Sequence, residues 1–313
     1  MELVTGGAGF IGSHLVDSLV AHGKRVRVLD NFSSGREEFL SHHSDSGMVE
    51  VVRADLLDLE SVKSAMNGVE TVHHMAANPD IRLGTEVTDT DLRQGTIATY
   101  NVLESMRLAG VGRISFSSSS AVYGEAVQMP TPETYGPIKP ISLYGASKLA
   151  SEALITAWCG TFGSKAWIHR FANIVGPRGT HGVIYDFVHK LRADPTRLEV
   201  LGDGLQEKSY MSAEDCVNAM LHLVNGVDED VNLYNLGTGD TCSVHRIAEI
   251  VVEESGLDGV SIEYTGGERG WAGDVPKTSL EVQCLLSTGF VPNMQSEAAI
   301  RHTARALIEE IGL

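Results

Sequence analysis

Over the first 170 residues, short apolar runs rich in β-branched side chains alternate with longer amphipathic stretches. Residues 2–5, 25–29, 49–53, 71–75, 114–117 and 166–170 read as strands, and residues 11–21, 59–66, 90–109 and 143–161 as helices. In the first helix Leu15, Val16, Leu19 and Val20 recur on one face. Strands separated by helices pair in parallel through right-handed crossovers. The expected fold is therefore α/β, a doubly wound parallel sheet with a smaller mixed α/β C-terminal lobe. After Phe171 the rhythm weakens. Gly and Pro punctuate residues 174–182, Gly202 and Gly204 follow a short strand at 198–201, and helices are expected over 213–224 and 243–254, with a last strand at 231–236. The expected division gives residues 1–172, with a return segment at about 209–238, to the sheet domain. Residues 173–208 and 239–313 go to the lobe, at the carboxyl edge where open sheets place ligands.

The turn after the first strand reads Thr5-Gly6-Gly7-Ala8-Gly9-Phe10-Ile11-Gly12. A turn this rich in glycine lets backbone approach a pyrophosphate, and the helix behind it offers unpaired N–H groups to that anion. Asp30 ends the next strand, 18 residues past Gly12. A carboxylate there accepts from both adenosine ribose hydroxyls and repels a 2′-phosphate, which favours NAD over NADP. Arg36 stands near enough in sequence to offset that charge, but Asp30 comes first, and NAD is the expected cofactor of a Rossmann domain. Asp55, after the third strand, has two readings: an acceptor for the adenine amino group, or a loop-ordering acid.

Tyr144-Gly145-Ala146-Ser147-Lys148 puts a phenol and an ammonium on one helical face. A free phenol, with a pKa of about 10, is a poor base at neutral pH, and a nearby cation favours its phenolate. So placed, Tyr144 can take a proton from a sugar hydroxyl while hydride leaves the same carbon. The run Ser117-Ser118-Ser119-Ser120 ends the fifth strand and offers hydroxyls to a substrate alcohol or ketone.

The 313 residues carry a formal charge of −17, so no general positive field exists to bind nucleic acid or an anionic membrane surface. No apolar run reaches the length of a membrane helix. With the first motif starting at Leu3, no signal peptide is expected, and the location is expected to be cytoplasmic. Cys159, Cys216, Cys242 and Cys284 are too widely spaced for a zinc site or a disulfide scaffold. His42-His43 and His73-His74 are adjacent pairs without carboxylates at ligand spacing, so no metal is expected.

Together with Asp30-Asn31, His74-Met75-Ala76-Ala77, residues 117–124, 170–176 and 269–274, these motifs make the chain resemble the extended short-chain dehydrogenase/reductase family. Within it, the chain is most similar to NAD-dependent nucleotide-sugar epimerases of the UDP-glucose 4-epimerase type. The resemblance implies Ser119, Tyr144 and Lys148 as catalytic residues. It implies a cofactor site built from Gly6, Gly9, Phe10, Ile11, Gly12, Asp30, Asn31, Ser34, Gly35, Asp55, Leu56, Met75, Ala76, Ala77, Tyr144, Lys148 and Phe171. For a UDP-sugar substrate it implies Ser119, Tyr144, Asn173, Gly182, Val183, Leu201, Lys208, Arg269 and Asp274. It further implies a homodimer formed through the helices over 92–108 and 143–158.

Similar 4,6-dehydratases carry acidic residues directly after the catalytic hydroxyl. Here Ser120 and Ala121 occupy those places, which disfavours dehydration. Thr278 is small where relatives limit the sugar, which would leave room for an N-acetylated hexose, and Arg82 has two readings: a cation for a uronate, as relatives present there, or, more in keeping with its loop, a solvated arginine. Gln94-Gly95 departs from a frequent Asn pair, Lys208 from an arginine with a bidentate fork, and Ser212-Ala213 from a frequent His-Val. A non-catalytic NAD-binding sensor would have no need of Ser119, Tyr144 and Lys148.

Overall fold

In the computed structural model, which describes residues 1–270 and 275–313, β1 (Glu2–Thr5), β2 (Val26–Asp30), β3 (Val49–Arg53), β4 (Thr71–His74), β5 (Arg113–Ser119) and β6 (Lys165–Phe171) form one sheet with the strand Val231–Leu236. The order across it is Val231–Leu236, β6, β5, β4, β1, β2, β3. The pairings of β1 with β2 and β4, of β2 with β3 and of β4 with β5 are parallel. Chain direction across the sheet reverses between β1 and β4, the topological switch point beside which such sheets bind ligands.

Helices α1 (Phe10–Ala21), α2 (Leu59–Ala65), α3 (Ala98–Ala109) and α4 (Leu143–Phe162) begin and end where local chemistry dictates. Asp58 caps α2 by accepting from the Glu60 N–H, and Ser142 caps α4 by accepting from the Gly145 N–H at 3.1 Å. Gly110 and Gly163 stop α3 and α4 in the left-handed conformation. The helix expected from residue 90 differs at its start: Leu92–Ile97 wind as a π-helix before α3 continues. Gly95 lies against α4 so closely that a Cβ would meet the Ser147 hydroxyl at 2.6 Å. The Gln94-Gly95 departure thus has a packing reason, since a larger residue at 95 would push the segment off α4.

Contacts divide the chain into two compact units: Met1–Tyr123 with Ile138–Arg170 and Met220–Tyr234, and Gly124–Pro137 with Phe171–Ala219 and Asn235–Leu313. The first has a core of strand and helix residues including Leu3, Leu29, Val72, Ile114, Phe116, Val102, Met106, Ile155 and Ile168. In the second, helices Val183–Ala193, Val244–Ser255 and Ser296–Ile311 enclose Leu198 and Val200 of the strand Arg197–Val200. The first and last of these helices go beyond the elements expected from the sequence. Yet Ile184, Phe187, Val188 and Leu191 are buried at the spacing of one helical face. Among the described residues, no helix is long and apolar enough to cross a membrane.

Two buried histidines make the first unit acid-sensitive. His74 on β4 shares hydrogen bonds with the Thr5 hydroxyl at 2.7 Å and the Thr99 hydroxyl at 3.0 Å. His169 on β6 shares one with the Ser115 hydroxyl at 3.0 Å. Burial pushes both pKa values down to about 3, with the charge of Lys148 adding to the effect on His74. The unfolded chain takes up these protons from about pH 6.5, so stability is fully present above that pH and falls as the pH drops toward 3. Each histidine contributes a slope of roughly 1 kcal/mol per pH unit. Urea midpoints should decline steadily between pH 6 and 4, and His169→Gln should flatten the decline; an equal slope in that variant contradicts the assignment.

Candidate active site

The phosphate-binding turn leaves β1 and enters α1 through Gly9, an N-cap with no side-chain acceptor, so the first-turn N–H groups are left for an outside anion. Gly12 lies so close beneath the turn that a Cβ would come within 2.1 Å of the Gly6 carbonyl oxygen. Asp30 is buried at the end of β2, where its carboxylate accepts from the Ala8 N–H at 2.9 Å and the Phe32 N–H at 2.8 Å. Each oxygen keeps a lone pair for a further donor. Gly35 leaves that carboxylate uncovered, since a Cβ there would meet both its oxygens at 2.9 and 3.1 Å. The Arg36 guanidinium stands over the Phe39 ring, 5.6 Å from its centre. A cradle that any Cβ would fill, followed by an acidic acceptor, fits a dinucleotide with a free ribose diol.

Around this turn, Asp55 takes a structural part. It accepts from the Asn31 side-chain amide at 2.9 Å and from the Leu57 N–H at 2.8 Å, tying together the loops after β2 and β3. Leu56 is buried, and its carbonyl accepts from Asn101 at 2.8 Å. Ser34 is exposed on the loop after β2. Met75 follows β4, its N–H donating to the Thr5 carbonyl at 3.2 Å, and the Ala76 N–H reaches the Thr5 hydroxyl at 3.4 Å, with Ala77 next in line. Phe171 is buried at the end of β6.

On α4, the fold brings Tyr144 and Lys148 to the end of β5. The Ser119 side chain is a hydrogen-bonding neighbour of the Tyr144 phenol that favours its ionised form, and its hydroxyl accepts from the Ala121 N–H at 3.2 Å. The Lys148 ammonium donates to the Ser117 carbonyl at 2.5 Å and stands 5.7 Å from the centre of the Tyr144 ring. Burial pushes the phenol up to about 12; the Ser119 hydrogen bond opposes this, and the charge of Asp91 adds to it. Lys148 is pushed down to about 7, again by burial, against the charges of Glu152 and Asp91. The cation therefore does not by itself turn the phenol into a base. Bringing it to neutrality takes roughly 7 kcal/mol of further differential interaction, and the positive ring of oxidised nicotinamide carries charge of the right sign.

Sequence reasoning passed over two acids here. Glu152, one turn beyond Lys148 on the same face of α4, is buried and accepts two hydrogen bonds from Arg170, at 2.7 and 3.0 Å, and one from Ser118 at 2.5 Å. Its spacing from Tyr144 and Lys148 was a usable signal. Asp91 was not legible: it is buried ahead of the π-helix, with one oxygen held by Asn78 at 3.1 Å and the other without a partner, and burial raises its pKa.

The second unit carries the residues expected to hold the nucleotide sugar. The Asn173 side chain donates to the Ser209 carbonyl at 3.2 Å, and its strand pairs with Tyr210–Ser212. Gly182, at φ 99°, starts the helix that opens with Val183. Lys208 pairs in register with Thr278, Leu201 is exposed, and Arg269 forms an ion pair with Glu125. Asp274 lies outside the described residues. A cavity of about 420 Å³ in this unit is lined by residues that include Glu125, Met129, Leu205, Gln206 and Lys277. In the first unit, Arg82 is exposed and paired with Asp80 at 3.2 Å.

A doubly wound sheet with a glycine turn after its first strand, an acid at the end of the next and a Ser-Tyr-Lys group at the end of β5 is the arrangement of an NAD-dependent enzyme. The family model described as the NAD dependent epimerase/dehydratase family matches residues 2–237, and the chain belongs to that family. It is 34% identical over 309 residues to a putative UDP-glucose 4-epimerase of Methanocaldococcus jannaschii, covering 96% of each chain. Among solved structures it superposes with a TM-score of 0.88 on a UDP-galactose 4-epimerase, at 42% identity over 99% of both chains. It also superposes at 0.87 on MoeE5 solved with UDP-glucuronic acid and NAD, at 29% identity over 100% of this chain and 99% of that one.

Proposed function

We propose that the protein inverts C4 of a UDP-linked hexose, of the UDP-glucose/UDP-galactose type, through a transient 4-keto sugar. The observation that carries this reading is the meeting of Ser119 at the end of β5 with Tyr144 on α4, and the Lys148 ammonium 5.7 Å from the centre of the phenol ring. No acid stands at Ser120 or Ala121 to drive dehydration. Bound NAD supplies the acceptor and later the donor of the C4 hydride. Ser119 holds the sugar O4, Tyr144 Oη takes the O4 proton and returns it after the ketone has turned, and Lys148 supplies positive charge beneath the phenol. In the second unit, Asn173, Lys208 and Arg269 offer donors to a diphosphate, with Arg269 exchanging Glu125 for phosphate oxygens. Cofactor regenerated at each turnover needs no exchange, so tight NAD retention carries no kinetic penalty.

A homodimer belongs to the same reading. Leu92, Ile97, Tyr100 and Leu108 on the π-helix and α3, with Leu143 and Phe162 on α4, remain exposed on the two helices expected to meet a second copy. A cytoplasmic location also belongs to it.

A panel of UDP-, GDP- and dTDP-sugars, read by product separation, tests the proposal. UDP-glucose and UDP-galactose should interconvert without net reduction of added NAD. Release of carbon dioxide from UDP-glucuronate, with no hexose interconversion, would replace this function by a decarboxylase. The likeness to MoeE5, solved with UDP-glucuronic acid, makes a uronate the alternative substrate to test; the exposed pairing of Arg82 with Asp80 gives it no added support.

A further inference from the structure

On the first unit, the fold assembles three metal-binding donors that sequence spacing keeps apart. Asp17 lies midway along α1, and His42 and His43 form a single 3-10 turn, Ser41–His43, in the connection between β2 and β3. Both imidazoles reach the same carboxylate oxygen through Nε2, His42 at 2.8 Å and His43 at 2.7 Å. Their rings lie 4.0 Å apart. One donor atom from each of the three residues lies within 4.8 Å of the other two.

We propose that Asp17, His42 and His43 bind one divalent cation of the zinc class. Two imidazole nitrogens with one carboxylate oxygen suit Zn²⁺ and its borderline neighbours Ni²⁺ and Cu²⁺, whereas Mg²⁺ and Ca²⁺ require oxygen donors. Ligand bonds of about 2.0–2.2 Å in tetrahedral array place donor atoms roughly 3.3 Å apart. The two imidazole–carboxylate separations need to open by about half an ångström, and the two nitrogens already lie within 4.8 Å of each other, adjustments within reach of side-chain torsions on a surface where His42 is exposed and His43 mostly covered. Three protein ligands leave a fourth position for water. Each imidazole binds as its neutral Nδ1–H tautomer, the ring proton passing through solvent from Nε2 to Nδ1 so that the Nε2 lone pair faces the metal, and the negative charge of the chain does not oppose a cation.

The bound ion would clip α1, which starts at the phosphate turn, to the connection that carries Asn31, Ser34 and Gly35. The same connection already touches the turn through the Arg36 N–H and the Ala8 carbonyl, at 2.9 Å. Metal binding should therefore slow backbone exchange in residues 36–46 of the cofactor-free protein.

The test adds Zn²⁺ alone to chelator-treated full-length protein. Calorimetry should show one ion bound per chain, with a raised thermal midpoint, and equal concentrations of Mg²⁺ should have no effect. His42→Gln, at the exposed position where folding is not at stake, and Asp17→Asn should each weaken zinc binding by more than about tenfold. X-ray absorption should show nitrogen and oxygen neighbours only. Unchanged affinity in both variants, or sulfur among the neighbours, which would point to the exposed Cys284, overturns the proposal.

Discussion

Tyr144→Phe should lower UDP-sugar epimerisation by about 10² to 10⁴-fold, the range associated with a positioned acid-base group, while NAD stays bound. The substitution removes one oxygen from a ring already fixed by α4, and it leaves Lys148 its hydrogen bond to the Ser117 carbonyl. Hydride transfer then has no proton acceptor at O4. Because the free-protein phenol sits at about 12, its activation depends on positive charge around it. Lys148→Met should therefore also depress turnover, more severely near neutral pH than under alkaline conditions. Ser119→Ala should cost less, because it removes a hydrogen bond to the phenol and sugar but not the proton acceptor. Single-turnover assays with retained cofactor distinguish these losses from loss of NAD. A Tyr144→Phe enzyme with native turnover would remove the mechanism.

Glu152→Ala should destabilise the first unit by about 3–5 kcal/mol, the loss typical when one half of a buried ion pair is removed. The side chains of Arg170 and Glu152 are 4% and 7% exposed, so water cannot replace the missing partner. Arg170 would keep its contact with the Tyr123 ring, 4.7 Å from the centre, but lose the carboxylate that balances its charge. Glu152→Ala with Arg170→Met removes both charges and should recover much of the loss, giving a large coupling in a double-mutant cycle. A milder change, Glu152→Gln, preserves shape while deleting the charge that opposes deprotonation of Lys148. Its ammonium should then be lost at lower pH, which moves the alkaline limb of kcat/KM downward. Chemical denaturation with and without NAD measures the first effect, and a pH–rate profile the second. If Glu152→Ala unfolds at the native urea concentration, the ion pair carries no weight.

Much of the first unit was legible because its signals are local. Alternating periodicities place β1 to β6 and helices α1, α2 and α4 close to their observed ends, while α3 begins only at Ala98 behind the π-helix; Ser142, Asp58, Gly110 and Gly163 mark ends by their own chemistry. The phosphate turn and the Tyr144–Lys148 face depend on neighbours within a few residues. The lobe was harder to read. Its short paired strands, such as Glu207–Lys208 with Lys277–Thr278, gain their hydrogen bonds from segments far away in sequence. The π-helix at Leu92–Ile97 depends on close approach of Gly95 to Ser147, which no local pattern announces.

By itself the sequence determined the order of strands and helices in the first unit, the glycine cradle, the acid that follows it, and which phenol and ammonium share a helix face, because each follows from backbone geometry over short spans. Tertiary structure alone decided how these groups are charged and what surrounds them. Burial set Tyr144 at about 12 and Lys148 at about 7, folding paired Glu152 with Arg170 across 18 residues, and the packing of α1 against a distant turn brought Asp17 to His42 and His43. Solvation and through-space contact depend on every element packed nearby, and no stretch of chain carries that information alone.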